Sequence, residues 1–237
     1  MKRVLAAVSF IGAFLIVSIS AFAQSESRDE VLKQIETKRA ELSVLEKKFL
    51  TPSEEDRAAY ADFLKQPGTG LIRLLPREAY DKDTTLTIRG GGAYYSFTRR
   101  THAYGYGSDI SLEQGFLKVG FAGADYGMLV KLGDVPLEEV TSEHPGVRFL
   151  STYNAVTEEP QARLEQRRFG TGTKIDGVFF SERERAQLNT TYVVRSINYS
   201  ESDVLVGFRV VRKDTDGSFI IAWRMVREFP VPDLARN

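Results

Sequence analysis

The chain has 237 residues, 42% of them hydrophobic and 27% charged, and its 32 basic side chains equal its 32 acidic ones. That composition rules out a disordered or collagen-like chain and supplies no general basic field for nucleic acid or anionic lipid, so a charged partner has to be held by a local patch. Cysteine is absent, which removes disulfides, thiol nucleophiles and thiolate metal sites.

Residues 1–23 stand apart. Lys2 and Arg3 make a positive start, Val4 to Ala21 is almost wholly apolar, and Ala21-Phe22-Ala23 has the form of a cleavage site. The expectation is a secretory signal peptide cut after Ala23 and a periplasmic or secreted mature protein. An uncleaved anchor is the alternative, because the apolar run approaches spanning length. No second long apolar run follows, so no membrane span is expected after cleavage.

Residues 24–68 are expected to form a helical hairpin or a short coiled-coil-like segment. Ser27 with Glu30 makes a capping box, and Val31 to Leu50 is free of glycine and proline. Val31, Ile35, Leu42, Leu45 and Phe49 fall on a 3-4 spacing interrupted by Lys38, a stripe of about three heptads. That length favours an amphipathic helix packed on its own domain over a dimerising stalk. The same segment, residues 27–66, is where a homo-oligomer or an envelope protein partner would dock. Thr51-Pro-Ser-Glu54 reads as a second capping box, and Pro67-Gly68 as the end of the helix that follows.

Residues 69–237 read as a β-rich domain. Strands are expected at 71–75, 84–89, 93–99, 109–113, 116–121, 126–132 and 147–156, with a short helix or loop at 159–168 and a strand at 173–180. Ser181 with Glu184 reads as a third capping box opening a short helix. Three strands then follow, 190–199, 203–213 and 218–229, joined by turns at Glu201-Ser202 and Asp216-Gly217. With those pairs at the turn centres, Ser200 faces Asp203 and Thr215 faces Ser218. Val193, Ile197, Val206, Phe208, Val210, Ile221, Trp223 and Met225 then share a core face, while Tyr192, Val194, Leu205, Arg209 and Arg224 share the other. The fold class is α+β: an N-terminal helical segment followed by a mainly antiparallel, twisted sheet, closed as a barrel or stacked as a sandwich.

No complete catalytic or cofactor motif occurs, and no cofactor or metal is expected. Gly90-Gly91-Gly92 is followed by the β-forming Ala93-Tyr-Tyr-Ser-Phe rather than a helix, which fails the dinucleotide fingerprint and leaves a sheet bend. Gly170-Thr-Gly-Thr-Lys174 lacks the ending of a phosphate loop. Asp214-Thr-Asp216-Gly217-Ser218 has Arg212 where a calcium loop needs an acid, so it reads as a hairpin turn. His102 and His144 are the only histidines. Ser108, His102 and Asp109 lie close in sequence, but the serine lacks the glycine context of a nucleophile elbow.

The candidate binding residues are Arg99, His102, Tyr104, Tyr106 and Asp109, in one loop that could stack a sugar or hold an anion, with Tyr94, Tyr95 and Tyr126 as further aromatic surfaces. Arg209 and Arg224 join them because the expected register sets them opposite each other, and two like charges ask for an anion between them: a bound ligand, or a protein carboxylate such as Glu182 or Glu184. The function expected is an exported, non-catalytic binding or interaction module, with a carbohydrate or anionic ligand. One alternative is an exported hydrolase of an envelope or extracellular polymer using His102 with Asp109, or Asp125. The other is a structural protein oligomerising through its N-terminal helices.

Overall fold

A computed structural model describes residues 27–81, 86–102, 104–105 and 107–235. The expected signal peptide, Tyr106 and the first half of the expected strand at 84–89 lie outside these residues. The chain divides into two compact units, residues 1–42 and 43–237.

The first unit holds the start of helix α1 (Arg28–Leu50). The capping box forms as expected: the Ser27 N–H donates to Glu30 Oε2 at 2.8 Å and the Glu30 N–H donates to Ser27 Oγ at 3.2 Å. Val31, Leu32, Ile35 and Leu42 are exposed. No helix among the described residues is long and apolar enough to cross a membrane.

The second unit begins with the last two turns of α1, which bury Glu46 and Leu50. Glu46 accepts from the Thr87 hydroxyl at 2.9 Å and from the Thr87 N–H. The next helix, α2 (Glu54–Ala59), is capped by Ser53 with Asp56, two residues later than expected. Thr51 cannot cap it because its hydroxyl donates back to the Lys47 carbonyl at 2.7 Å, closing the end of α1. Helix α3 (Ala61–Leu64) leads to strand β1 (Thr69–Leu74), and α4 (Arg77–Tyr80) follows.

Residues 87–92 form bends and turns, not the expected strand. All three of Gly90, Gly91 and Gly92 are left-handed, and a Cβ on Gly92 would strike Leu50, so the triplet is a turn folded against the end of α1. Strands β2 (Tyr94–Tyr95), β3 (Ile110–Glu113), β4 (Phe116–Lys118) and β5 (Tyr126–Gly133) come next. A 3-10 turn at Leu137–Glu139 then leads to α5 (Arg148–Thr152) and α6 (Glu159–Thr171). The expected strand at 147–156 is therefore half helix, over Arg148–Thr152, and half irregular: Val147 and Leu150 turn inward together at helical spacing.

Strands β6 (Thr173–Ile175) and β7 (Val178–Phe180) make a hairpin around the left-handed pair Asp176-Gly177. The Ser181 capping box does not form. Ser181 instead bridges to Leu129, its hydroxyl donates to the Arg183 carbonyl at 2.5 Å, and Arg183–Arg185 becomes strand β8 on the edge of β4. Strands β9 (Thr190–Asn198), β10 (Ser202–Lys213) and β11 (Phe219–Glu228) complete the regular structure among the described residues.

Two antiparallel sheets result, ordered β1-β11-β10-β9-β5 and β2-β3-β4-β8. One core lies between them, with Phe97, Ile110 and Leu117 of the smaller sheet's side meeting Leu129, Tyr192, Phe208 and Trp223 of the larger. The opposite face of the larger sheet is covered by α5, α6 and the 3-10 turn, which bury Leu150, Phe169 and Leu137 against Val193, Ile197 and Ala222. The α+β class holds, as a sheet sandwich with helices on its outer side.

The expected register fails in both C-terminal hairpins, and in one of them the expected faces fail with it. Asn198, not Ser200, faces its partner on β10, which is Ser202. The turn is the three-residue loop 199–201, with Ser200 left-handed at φ 63°, and the resulting displacement is odd. An odd slip turns β9 over, so Tyr192 and Val194 face the sandwich core while Val193 and Ile197 face the helices. In the β10–β11 hairpin the displacement is one residue beside the turn, at Lys213 opposite Phe219, and a bulge between Val210 and Arg212 makes it two over Val206–Val210, so the faces hold, but Arg209 lies opposite Ala222 and Arg224 opposite Gly207.

Candidate binding cleft

After β2 the chain doubles back on itself. The Ser96 N–H donates to the Thr101 carbonyl at 3.0 Å, and the turn between them is closed by Arg100 in the left-handed region at φ 54°. That backbone costs a non-glycine residue about 1 kcal/mol or more, and it sets the Arg100 guanidinium over the Trp223 ring at 5.4 Å. Two residues on, His102 Nε2 lies 2.9 Å from the Arg73 carbonyl, and the imidazole meets the Tyr95 ring edge-on at 4.9 Å. Burial pushes the His102 pKa down to about 4. The ring is neutral at pH 7, and with a carbonyl as partner Nε2–H is the donor.

These residues form one wall of a cleft of about 410 Å³. The end of α1 supplies Ser43, Lys47 and Leu50, the start of the next helix Pro52 and Arg57, β1 supplies Leu71 and Ile72, and Ile88 and Tyr95 complete the lining. Leu50, Ile72 and Tyr95 are buried and make an apolar floor, while Lys47, Arg57 and Arg100 stand exposed at the rim. No lining residue is a carboxylate. Among the described residues, none of the three cations takes part in a salt bridge. Two nearby acids are engaged elsewhere, Glu46 with Thr87 and Asp56 with Arg212.

The other loop candidates do not join His102. Arg99 pairs with Glu201. Tyr104 packs edge-on against Tyr94 at 4.8 Å, lies under the Arg89 guanidinium, and donates to the Phe121 carbonyl at 3.4 Å. Asp109 is fully buried: Oδ2 accepts the Phe97 N–H at 2.7 Å and Oδ1 accepts from Asn198 Nδ2 at 2.9 Å. Burial pushes its carboxyl up to about 6 against those hydrogen bonds. Ser108 accepts the Gly105 N–H at 3.2 Å. Among the described residues, Ser108, His102 and Asp109 thus bond to different partners and not to one another, which makes no catalytic relay.

Arg209 and Arg224 also have partners within the chain. Arg209 pairs with Asp134 at 2.5 Å and donates to Thr191 Oγ1 at 3.1 Å. Arg224 donates to the carbonyls of Leu137 and Glu138 at 3.2 and 3.4 Å, in the 3-10 turn. The anion expected between them is replaced by Asp134 and by carbonyl dipoles of that turn, of which Leu137's also accepts the Val140 N–H at 3.2 Å.

A second concave region surrounds Asp125, whose carboxyl is pushed up to about 6 by burial and accepts the Tyr199 N–H at 3.0 Å. Asp125 lines a cleft of about 570 Å³ with Glu159, Arg163, Tyr199 and Glu201. The charges beside it are answered locally, Arg163 by Glu159 at 3.2 Å and Glu201 by Arg99. Among the described residues no cluster of acids or histidines is arranged to hold a metal ion.

Lys47 and Arg57 escape a reading of the sequence because nothing in their own segments marks them. The only local signal was the break at Thr51-Pro52, which brings the end of one helix and the start of the next to the same rim. In comparisons with known proteins, no family model, curated protein or solved structure matches the chain.

Proposed function

We propose that the chain is an exported, non-catalytic binding module that takes an organic anion in the cleft formed by α1, β1 and the Arg100–His102 turn. One observation carries this reading: Lys47, Arg57 and Arg100 converge on a cavity whose lining contains no carboxylate. Like charges gathered at one rim repel, and a bound anion relieves that repulsion. His102, neutral and tied to the Arg73 carbonyl, has a pKa far below that of a general base working near pH 7. Calorimetric titration of the purified chain with decanoate, decyl sulfate and decyl phosphate tests the reading. At least one of the three should bind, and Arg100→Gln should weaken that binding tenfold or more. No binding of any of them, or equal binding by the variant, would defeat it.

A second reading, assembly through the first helix, is favoured by the exposure of Ile35, Leu42, Leu45 and Phe49. Ile35, Leu42 and Phe49 recur every seven residues, the spacing of a coiled-coil seam, and a second copy of the same helix would cover it. Sedimentation at high concentration should then show an oligomer that Leu42→Asp dissociates. A monomer in the wild type counts against it.

A further inference from the structure

We infer that the occupant of the cationic cleft is an alkyl phosphate monoester, its head held by Lys47, Arg57 and Arg100 and its hydrocarbon tail laid along Leu50, Leu71 and Ile72. The inference rests on the reading that this cleft binds an organic anion, and it adds the chemistry of that anion.

The head group follows from the count and placement of charge. Three cations reach one rim from three separate segments, α1, α2 and the turn after β2, and the lining offers them no carboxylate. A carboxylate brings a single negative charge. A phosphate monoester brings about −1.5 to −2 at pH 7 and three strong acceptor oxygens, one for each cationic head. Arg100 is held for such contact. Its guanidinium lies 5.4 Å above the Trp223 ring centre and is exposed at the rim, where a fork of N–H donors suits two oxygens side by side.

The tail follows from what lies beneath the rim. Leu50, Ile72 and Tyr95 are buried side chains that form the floor, and Pro52, Leu71 and Ile88 flank them. Inorganic phosphate would leave the half-buried Leu71 and Ile88 beside that floor in contact with water. An alkyl chain covers them, and each methylene so buried tightens binding about fourfold. The neutral state of His102 keeps a fourth charge away from the tail's path.

The same head group occurs on a membrane lipid and on a soluble ester, and the experiment separates the two. Trp223 is the chain's only tryptophan and lies under Arg100, so its emission reports directly on the cleft. The purified chain is titrated with decyl phosphate, decanoate, decanol and inorganic phosphate, followed by calorimetry and by Trp223 emission. Decyl phosphate should bind at least tenfold more tightly than each of the others, and it should be weakened at least tenfold by Arg100→Gln and at least fivefold by Lys47→Gln. Arg57→Gln gives the same readout should either variant fail to fold by circular dichroism.

If decanoate binds within threefold of decyl phosphate and Arg100→Gln weakens both, the phosphate assignment is overturned while the organic-anion cleft stands. Inorganic phosphate binding as tightly as decyl phosphate overturns the tail. If none of the anions binds, or the variants bind as the wild type does, both readings fall together. Co-sedimentation with phosphatidylcholine vesicles containing phosphatidate, added to decyl phosphate binding, supports the inference with a lipid as the source. Decyl phosphate binding without co-sedimentation supports it with a soluble ester as the source.

Discussion

The two ends of the loop between β2 and β3 handle charge in opposite ways. At its far end Asp109 is sealed in the interior, and its carboxylate is met by the Phe97 N–H and by Asn198, whose amide also lies 3.1 and 3.0 Å from the Ser196 and Ser202 hydroxyls. At its near end Arg100 sits at an open rim with Lys47 and Arg57 and no carboxylate. Both arrangements cost free energy, one through desolvation and one through repulsion and a left-handed backbone. The difference shows what each costs for: a buried charge answered from within joins β3, β9 and the turn after β2, whereas a rim of unanswered charges waits for something from outside.

Removing the sealed carboxylate has the largest effect. Asp109→Ala leaves the Phe97 N–H buried without its acceptor, takes one of three acceptors from the Asn198 amide, and should destabilise the fold by about 3 kcal/mol in urea denaturation. Arg100→Gln, at the open end, should cost less than about 0.5 kcal/mol by the same measurement. A loss below about 1 kcal/mol for Asp109→Ala would erase the contrast.

The pH dependence of stability sharpens it. The folded Asp109 pKa, at about 6, lies above its ordinary 3.8. Its contribution is therefore complete below about pH 4 and is lost as pH rises through 6. The stability of wild type minus that of Asp109→Asn should fall by about 2 kcal/mol between pH 4 and pH 7. A flat difference would mean that Asp109 stays ionised throughout. Asp125 is raised in the same sense and remains in both proteins, so the subtraction removes it.

His102 supplies the opposite sign. Its folded pKa, about 4, lies below the ordinary 6.5. Its contribution is present above about 6.5 and is lost as pH falls toward 4, so wild type minus His102→Gln should drop by about 3 kcal/mol from pH 7 to pH 4. A drop in the other direction would show the imidazole charged and paired in the folded state.

The smallest effect tests the strain at the open end. Arg100→Gly removes the Cβ from a left-handed residue and should stabilise the fold by about 0.5 kcal/mol while weakening anion binding as Arg100→Gln does. A destabilisation above 1 kcal/mol would instead make the stacking on Trp223 a structural clamp.

Much of the fold was readable from short stretches. The Ser27–Glu30 cap, the helix over 28–50, the hairpin at Asp216-Gly217 and the alternation along β10 and β11 depend on residues within one turn or one strand of each other. The misreadings share a cause. Thr51 could not cap because the Lys47 carbonyl took its hydroxyl, and Ser181 could not because Leu129 drew its backbone into a bridge. The residues 147–156 alternate well enough for a strand, yet their apolar side chains are satisfied as a helix lying on the larger sheet.

The β9 register shows how narrow the margin was. The side-chain period in a strand is two, so a turn of three residues in place of two sent Val193 and Ile197 to the opposite face. For the candidate site, the sequence singled out the Arg99–Asp109 loop and its histidine, and the covalent order of the chain placed Arg100 beside them. That Asp109 turns inward and Arg100 outward, and that Lys47 and Arg57 arrive at the same rim, depends on contacts among α1, β1 and β2. Charge and apolarity belong to each residue from the start. Whether a charge is answered or left waiting depends on which distant side chains the packed backbone brings within reach.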